Sequence, residues 1–225
     1  MADHEVAARE MAWDDGRWLH APVRVDRTDE GHLLVEPGPE TDMWRHTSYG
    51  FVHDNGPALL APLPGGSAVE VSFLLDYTAQ FDQAGVLVHV DERNWVKTGV
   101  ELSDGLPQLG AVVTRELSDW SLAPVPEWAG REVTVRVSRS GDALTVRARV
   151  DDEPWRLVRL APLPPEATAS AGPFCCSPSR EGLIVRFTGW RQGPADRELH
   201  PEGSAEGQWG GSPAGVSGNA AGTTV

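Results

Sequence analysis

Apolar and polar residues alternate with a period of two along much of the chain, and this pattern predicts β-strands. Residues 133–137 and 144–150 give the clearest case, with Val, Leu and Ala at every second position and Thr, Arg and Ser between them. The intervening Ser140-Gly141-Asp142 segment is typical of a turn, so the two runs predict a hairpin. Further strands are predicted at residues 69–77, 86–90, 95–102, 109–115, 157–161 and 183–187.

The spacing of these runs favours an all-β fold, a sandwich of two antiparallel sheets. No apolar stripe with helical spacing is sustained, and 24 Gly and 18 Pro residues separate the runs at the short intervals expected of such a sandwich. Residues 13–192 contain no linker and no repeat, which predicts one domain. Residues 1–12 are an N-terminal segment with the potential for a short helix. Residues 193–225 are a Gly-, Ala- and Ser-rich tail that is expected to be disordered.

The net charge excludes two classes of partner. The chain of 225 residues carries 19 Lys and Arg residues against 33 Asp and Glu residues, a net charge of −14, so nucleic acids and anionic membranes would repel it. Arg136, Arg147 and Arg149 share one face of the predicted hairpin. With so many acidic residues in the chain, we interpret these arginines as a solvated face.

The N-terminus and the cysteines indicate a cytoplasmic protein. No apolar run of about 18 residues is present, and the acidic N-terminus lacks the apolar segment of a secretion signal. Cys175 and Cys176 are adjacent, which suits free thiols in a reducing compartment better than a strained disulfide. The seven His residues lack metal-ligand spacing. We therefore predict no metal and no cofactor.

Residues 94–101 are one of several segments that are dense in aromatic and polar side chains, and strand geometry makes this segment the informative one. On a strand, Trp95, Lys97 and Glu101 project to one face, while the intervening valines project to the other. Gly99 lies between Lys97 and Glu101, where it would let a ligand approach the backbone. Since Trp offers a flat apolar surface, this strand predicts the floor of a ligand-binding groove.

The preceding segment extends this surface. A four-residue turn joins residues 83–90 to the strand and predicts an antiparallel hairpin, which places Asp82 to Ala84 near Glu101 and His89 near Trp95. In one of the registers that the turn allows, Gln83, His89, Lys97 and Glu101 share one surface, and the sequence leaves open whether Gln83 or Asp82 faces the groove. The alternative interpretation is that Lys97 and Glu101 only pair with cross-strand neighbours.

Two enzymatic interpretations use the same surface. A retaining glycoside hydrolase needs two carboxyl groups about 5–5.5 Å apart. Glu101 is alone on its strand face, so the second group would come from a neighbouring strand, with Asp82 and Asp119 as candidates. Asp119 lies in a turn-like segment, where local hydrogen bonding is its expected role. A polysaccharide lyase would need a cation and a base, for which Lys97 and His89 are available, but their spacing does not require it.

Seven short motifs stand in a fixed order within residues 15–191: Thr41-Asp42-Met43-Trp44, Asp82-Gln83-Ala84-Gly85, the run 95–101, Val113-Thr114, Ser118-Asp119-Trp120-Ser121, Arg159-Leu160 and Cys176-Ser177-Pro178. With these motifs the chain resembles a bacterial and fungal family of unknown function called "regulation of enolase protein". The resemblance implies a concanavalin A-like lectin/glucanase fold, a jelly roll of two antiparallel sheets with one concave face. The family's name reflects a regulatory association in yeast and implies no particular molecular activity.

The strand pattern and the resemblance together predict a non-catalytic module that binds a glycan or a similar polyhydroxylated ligand on the concave face. Tryptophans would stack on sugar rings, and polar side chains would hydrogen-bond to hydroxyl groups. The predicted ligand-binding residues are Trp44, Asp82, Gln83, Trp95, Lys97, Glu101, Thr114, Asp119 and Trp120. The alternatives are a regulatory module that binds a protein partner through the same groove, and a glycoside hydrolase that uses Glu101.

Overall fold

A computed structural model describes residues 8–200, and it confirms the predicted all-β fold for this part of the chain. Its helices are two short 3₁₀ turns, Trp13–Asp15 and Pro126–Trp128. No helix in residues 8–200 has the length and apolarity needed to cross a membrane. Most of the predicted C-terminal tail, together with residues 1–7, lies outside the described residues.

The strands in chain order are β1 (Arg9–Glu10), β2 (Arg17–Trp18), β3 (Arg24–Arg27), β4 (Leu33–Glu36), β5 (Met43–Arg45), β6 (Val52–Asp54), β7 (Leu59–Pro62), β8 (Ser67–Leu74), β9 (Gln83–Asp91), β10 (Asn94–Ser103), β11 (Leu106–Arg115), β12 (Leu117–Pro124), β13 (Glu132–Ser140), β14 (Ala143–Val150), β15 (Arg156–Pro162), β16 (Ser170–Cys176) and β17 (Val185–Pro194). An eight-stranded sheet has the order β15-β14-β13-β8-β17-β4-β3, with β1 also paired to β17. A seven-stranded sheet has the order β12-β11-β10-β9-β16-β7-β2. β5 and β6 form a separate hairpin.

All eight predicted strands are present, as β8 to β11, β13 to β15 and β17, whereas the other nine strands lie in segments where the sequence predicts none. The hairpin predicted over residues 133–150 is formed by β13 and β14. Asp119 lies within β12 and not in a turn, because the backbone of this segment pairs with β11 along its whole length. Arg9–Glu10 is a strand where the sequence permits a helix, since it pairs with β17. β17 itself reaches Pro194, two residues beyond the predicted end of the domain.

The main core fills the space between the two large sheets. Val96 and Val100 of β10 project into it, as do the valines of β13 and β14. Phe73 and Phe187 are buried in the same core with their ring centroids 6.3 Å apart. Burying a side chain of this size contributes about 1.5–3 kcal/mol. The core therefore determines which face of each strand is directed outward.

The β5–β6 hairpin lies on the outer face of the seven-stranded sheet. Trp44 packs there against Leu87 and Val112, within a second apolar cluster. The backbone N–H of Arg45 donates to Ser118 Oγ at 2.9 Å, which ties the hairpin to β12. The hairpin covers part of the sheet and leaves an open cleft beside it.

Candidate ligand-binding cleft

Strand β10 presents its polar residues to the outer face of the seven-stranded sheet. Lys97 and Glu101 line the cleft on that face, whereas Val96 and Val100 lie in the core between the sheets. Gln83 of β9 is directly opposite Glu101 in the antiparallel pairing. The two-sided strand and the proximity of Gln83 to Glu101 are therefore as the sequence predicts.

Lys97 is the single lysine of a sequence that contains 18 arginines. Its side chain is buried, and its ammonium group donates to Asp42 Oδ1 at 2.6 Å and to Gln83 Oε1 at 2.9 Å. Burial favours the neutral amine, but the negative charges of Asp42 and Glu101 outweigh burial and raise the pKa of Lys97. Lys97 is therefore a paired cation that holds Asp42 and Gln83 in position.

Glu101 is a buried carboxyl group with an unused oxygen. Glu101 is only 9% exposed, and its Oε1 atom has no hydrogen-bond partner among residues 8–200. Burial raises the pKa of Glu101 from 4.5 to about 7, with Lys97 opposing the rise and Asp42 and Asp104 adding to it. Near neutral pH both protonation states are populated, and either can hydrogen-bond to a hydroxyl group.

Three glycines form a row across the sheet between the two charged residues of β10. Gly99 lies opposite Gly85 of β9 and Gly110 of β11. A Cβ atom on Gly99 would lie 2.0 Å from the carbonyl oxygen of Ala84, so the close approach of the strands requires glycine. The missing side chains leave a depression of about 20 Å³, which is enough for one water-sized group.

Aromatic side chains form one wall of the cleft. Trp44 is edge-on to Trp120 at 5.9 Å and to Tyr49 at 5.5 Å, and Tyr49 stacks on Phe51 at 5.4 Å. The indole N–H of Trp44 donates to the carbonyl oxygen of Thr47 at 3.0 Å, which fixes the ring. Tyr49 and Phe51 are 52% and 42% exposed, so both rings offer surface to a ligand.

The cleft has a volume of about 590 Å³, which is within the range of small-molecule sites. Glu40 and Phe81, which both line it, have φ angles of 55° and 67°. A non-glycine residue in this left-handed region costs about 1–2 kcal/mol, and such strain is concentrated at functional sites. The lining residues are Glu40, Asp42, Trp44, Tyr49, Phe51, His53, Phe81, Gln83, Lys97, Glu101, Val112, Trp120, Pro178 and Ser179.

Five of the nine predicted ligand-binding residues line this cleft. They come from the β5–β6 hairpin, β9, β10 and β12, which the sheet order and the hairpin bring to one face. The five are Trp44, Gln83, Lys97, Glu101 and Trp120.

Two further predicted residues, Asp82 and Trp95, are buried away from the cleft. Asp82 is fully buried, and its carboxylate accepts a hydrogen bond from Arg180 Nη2 at 2.7 Å. Trp95 is 2% exposed and belongs to the apolar cluster beneath the hairpin. The sequence places Trp95 on the correct face, but the hairpin covers it.

The remaining predicted residues, Thr114 and Asp119, bond to neighbouring protein groups. Thr114 is 1% exposed and shares a hydrogen bond of 2.8 Å with Ser118. Asp119 accepts a hydrogen bond of 2.7 Å from Arg159 and borders an adjoining cavity of about 440 Å³. His89, which we placed on the same surface, lines a third cavity, of about 670 Å³.

Asp42, Tyr49 and Phe51 line the cleft but are absent from the predicted set. Asp42 stands in one of the motifs, yet its ion pair with Lys97 joins positions 55 residues apart, which no local pattern reveals. The sequence does contain a pattern that indicates the two aromatic residues. Tyr49, Phe51 and His53 alternate along the chain, which is the pattern of an aromatic strand face.

Two facing antiparallel sheets with an open cleft on one outer face define a concanavalin A-like β-sandwich. The chain is similar to lectin I-B4 from Griffonia simplicifolia, with a TM-score of 0.50 and 14% identity, over 80% of this chain and 92% of the lectin. It is also similar to the crystal structure of a functionally unknown protein from Saccharomyces cerevisiae, with a TM-score of 0.76 and 35% identity, over 82% of this chain and 98% of that one. The predicted fold is confirmed.

The chain belongs to the family described as "Protein of unknown function (DUF1349)", whose sequence profile matches residues 18–195. It is 35% identical over 196 residues to "Regulation of enolase protein 1" of Saccharomyces cerevisiae, which covers 87% of this chain and 98% of the yeast protein. The resemblance carried by the motifs is confirmed.

Proposed function

We propose that this protein binds a glycan or a similar polyhydroxylated ligand in the cleft on the outer face of the seven-stranded sheet. The proposal depends on one observation, the meeting of an aromatic wall and a polar floor in one open cleft of about 590 Å³. Sugar rings have an apolar face and a rim of hydroxyl groups. Such a ring can stack on Tyr49, Phe51 or Trp120 while its hydroxyl groups bond to the floor.

The floor offers unused hydrogen-bonding groups. Lys97 has three N–H groups and uses two of them on Asp42 and Gln83, which leaves one for a ligand. A buried polar atom without a partner costs about 1–3 kcal/mol. A ligand hydroxyl group that bonds to Glu101 Oε1 would remove this cost. The similarity to a lectin fold agrees with a ligand of this class.

The carboxylates favour binding over hydrolysis. Glu101 has the raised pKa that suits a general acid. However, Asp82 and Asp119 are held by arginines, and Asp42 is bound to the Lys97 ammonium group at 2.6 Å. A reducing-sugar assay tests the alternative. Release of reducing ends that Glu101→Gln abolishes would establish a hydrolase and contradict the proposal.

A protein partner is the competing candidate, since a yeast relative is named for the regulation of enolase and the exposed rings of Tyr49 and Phe51 could also contact a protein. Competition separates the two. A free oligosaccharide that displaces a captured partner supports a sugar site in this cleft, whereas capture that oligosaccharides leave unchanged favours a protein interface.

Isothermal titration calorimetry with uncharged oligosaccharides tests the proposal. We expect saturable binding by the wild type and at least about tenfold weaker binding by Glu101→Ala. Glu166→Ala is the matched control, because Glu166 is an exposed carboxylate in the turn after β15 and does not line the cleft. Equal affinities for the two variants, or silence across a broad panel of oligosaccharides, would contradict the proposal.

A further inference from the structure

The charges that line the cleft determine which sugars it can accept. The lining contains three carboxylate side chains, those of Glu40, Asp42 and Glu101, and one ammonium group, that of Lys97. None of the arginines in residues 8–200 is a lining residue. Proteins recognise phosphate and carboxylate groups mainly through Arg or Lys side chains whose N–H groups are free.

The one lining cation is already neutralised. The charge of Lys97 is balanced by Asp42 at 2.6 Å, so the one N–H group that it keeps for a ligand belongs to a neutral ion pair. Arg180 follows the lining residue Ser179, but its guanidinium group is bound to Asp82 at 2.7 Å. The net charge of −14 also repels anions at long range. An anionic ligand in the cleft would lie beside carboxylates with no free cation among the described lining residues.

We propose that the cleft selects uncharged sugars and rejects their phosphorylated and uronic-acid counterparts, with the carboxylate of Glu40, which is unpaired within residues 8–200, causing the rejection. This inference rests on the proposed function, because it names the class of sugar that the same cleft takes. The unpartnered Oε1 of Glu101 fits an uncharged sugar. A hydroxyl group can bond to a carboxyl group in either protonation state, whereas an ionised ligand oxygen cannot bond to an ionised carboxylate.

Matched sugars that differ only at C6 test the selectivity. Oligomers of glucose and mannose are compared with the same oligomers bearing a C6 carboxylate or a 6-phosphate, by Trp fluorescence titration at about 20 mM salt. We expect the uncharged member to bind at least about tenfold more tightly. The difference in affinity between the uncharged and the charged sugar should become smaller at about 500 mM salt, where charges are screened over a few ångströms.

Each outcome of that comparison is informative. Equal or tighter binding of the charged member would overturn the selectivity and leave the proposed sugar site standing. A difference that does not respond to salt would overturn its electrostatic cause. Binding of neither member would overturn the selectivity and the proposed function together.

Charge reversal at Glu40 tests which residue causes the rejection. Glu40 lines the cleft and is exposed. Glu40→Lys should reduce the ratio of the affinities for the uncharged and the charged sugar by at least about threefold. Glu166→Lys makes the same charge change outside the cleft and should leave the difference unchanged. If Glu40→Lys folds poorly, Glu40→Gln removes the charge at nearly constant shape. It should reduce the affinity ratio between uncharged and charged sugars by a smaller factor. An unaltered difference in a folded Glu40 variant would overturn the role assigned to Glu40.

Discussion

The two large sheets both carry charged residues on their outer faces, and they use these charges differently. On the eight-stranded sheet, Arg136 binds Glu70 at 2.7 Å and Asp196 at 2.8 Å, and Arg147 binds the same Asp196. Arg147 also donates to the carbonyl oxygen of Leu199 at 2.7 Å. These charges are bound to each other and to the chain that follows β17.

The outer face of the seven-stranded sheet differs because it carries the open cleft. Lys97 is paired with Asp42, and Glu101 keeps a buried oxygen without a partner in residues 8–200. Other buried side-chain atoms in these residues also lack a partner, Arg149 Nε of the eight-stranded sheet among them, but of these atoms only Glu101 Oε1 belongs to a residue that lines the cleft. A buried polar group without a partner requires an explanation, and at the cleft a bound ligand would provide one. The first network joins residues of the fold to one another, whereas under the proposed function the second receives a ligand.

Removing one partner from each network should give the largest difference between the faces. Asp42→Ala leaves the ammonium of Lys97, which is 5% exposed, without its bonded counter-ion, and of the described residues only Glu101 remains as a nearby negative charge. The substitution should lower the free energy of unfolding by roughly 3 kcal/mol. Glu70→Ala leaves Arg136 paired with Asp196 and should cost about 1 kcal/mol. Urea unfolding measures both losses. Equal losses in the free energy of unfolding would show that the charge networks of the two sheets do not differ in this respect.

The pH dependence of stability should reveal Glu101. Because its pKa is raised from 4.5 to about 7, the folded chain binds a proton in this interval that the unfolded chain has released. The stability that the protonated carboxyl group provides is complete below pH 4.5 and is lost as the pH rises through 7. Relative to Glu101→Gln, the wild type should lose about 3 kcal/mol between pH 4.5 and pH 8. A constant difference in free energy of unfolding between the two proteins across this range would contradict the burial of an ionisable Glu101.

Substituting one tryptophan beside each sheet compares the contributions of the two faces to ligand binding. Trp120→Ala removes part of the aromatic wall and should weaken binding of an uncharged oligosaccharide by about tenfold. Trp155, which packs under the guanidinium group of Arg149 at 4.6 Å, follows β14 of the other sheet and supplies the control. Calorimetry on Trp155→Ala should return the wild-type affinity. A similar loss of affinity in Trp120→Ala and Trp155→Ala would indicate that the substitutions act through the fold and not through the cleft.

The smallest effect is expected at Asp119. Its side chain is 65% exposed in the ion pair with Arg159, so Asp119→Ala should change stability by about 0.5 kcal/mol and the affinity for an oligosaccharide by less than about twofold. A loss of affinity as large as that of Glu101→Ala would show that the adjoining cavity belongs to the binding site.

Strand β10 shows how much the sequence predicts. The alternation of Val with Trp95, Lys97 and Glu101 specifies both faces of the strand. The short turn before it brings residues 82–84 near Glu101, but the pairing of Gln83 with Glu101 is known only from the structure. These inferences succeed because strand periodicity and tight turns are local properties.

The failures at other positions arise from contacts between distant segments. Nothing near Trp95 indicates that the β5–β6 hairpin covers it, and nothing near Asp82 indicates that Arg180, 98 residues later, binds its carboxylate. Asp42 is missed for the same reason, because its partner Lys97 lies on another strand. Polar residues can be assigned to a face from the sequence, but their partners depend on the tertiary fold.

The single lysine allows the most direct test of the central claim, that a ligand binds at the floor of the cleft. Protein labelled with ¹³C in lysine alone gives side-chain signals from one residue, Lys97. An uncharged oligosaccharide that binds in calorimetry is titrated into this sample. We expect the Cε–Hε signals of Lys97 to shift and saturate with the dissociation constant found by calorimetry. Signals of Lys97 that stay unchanged at saturating oligosaccharide would contradict the account.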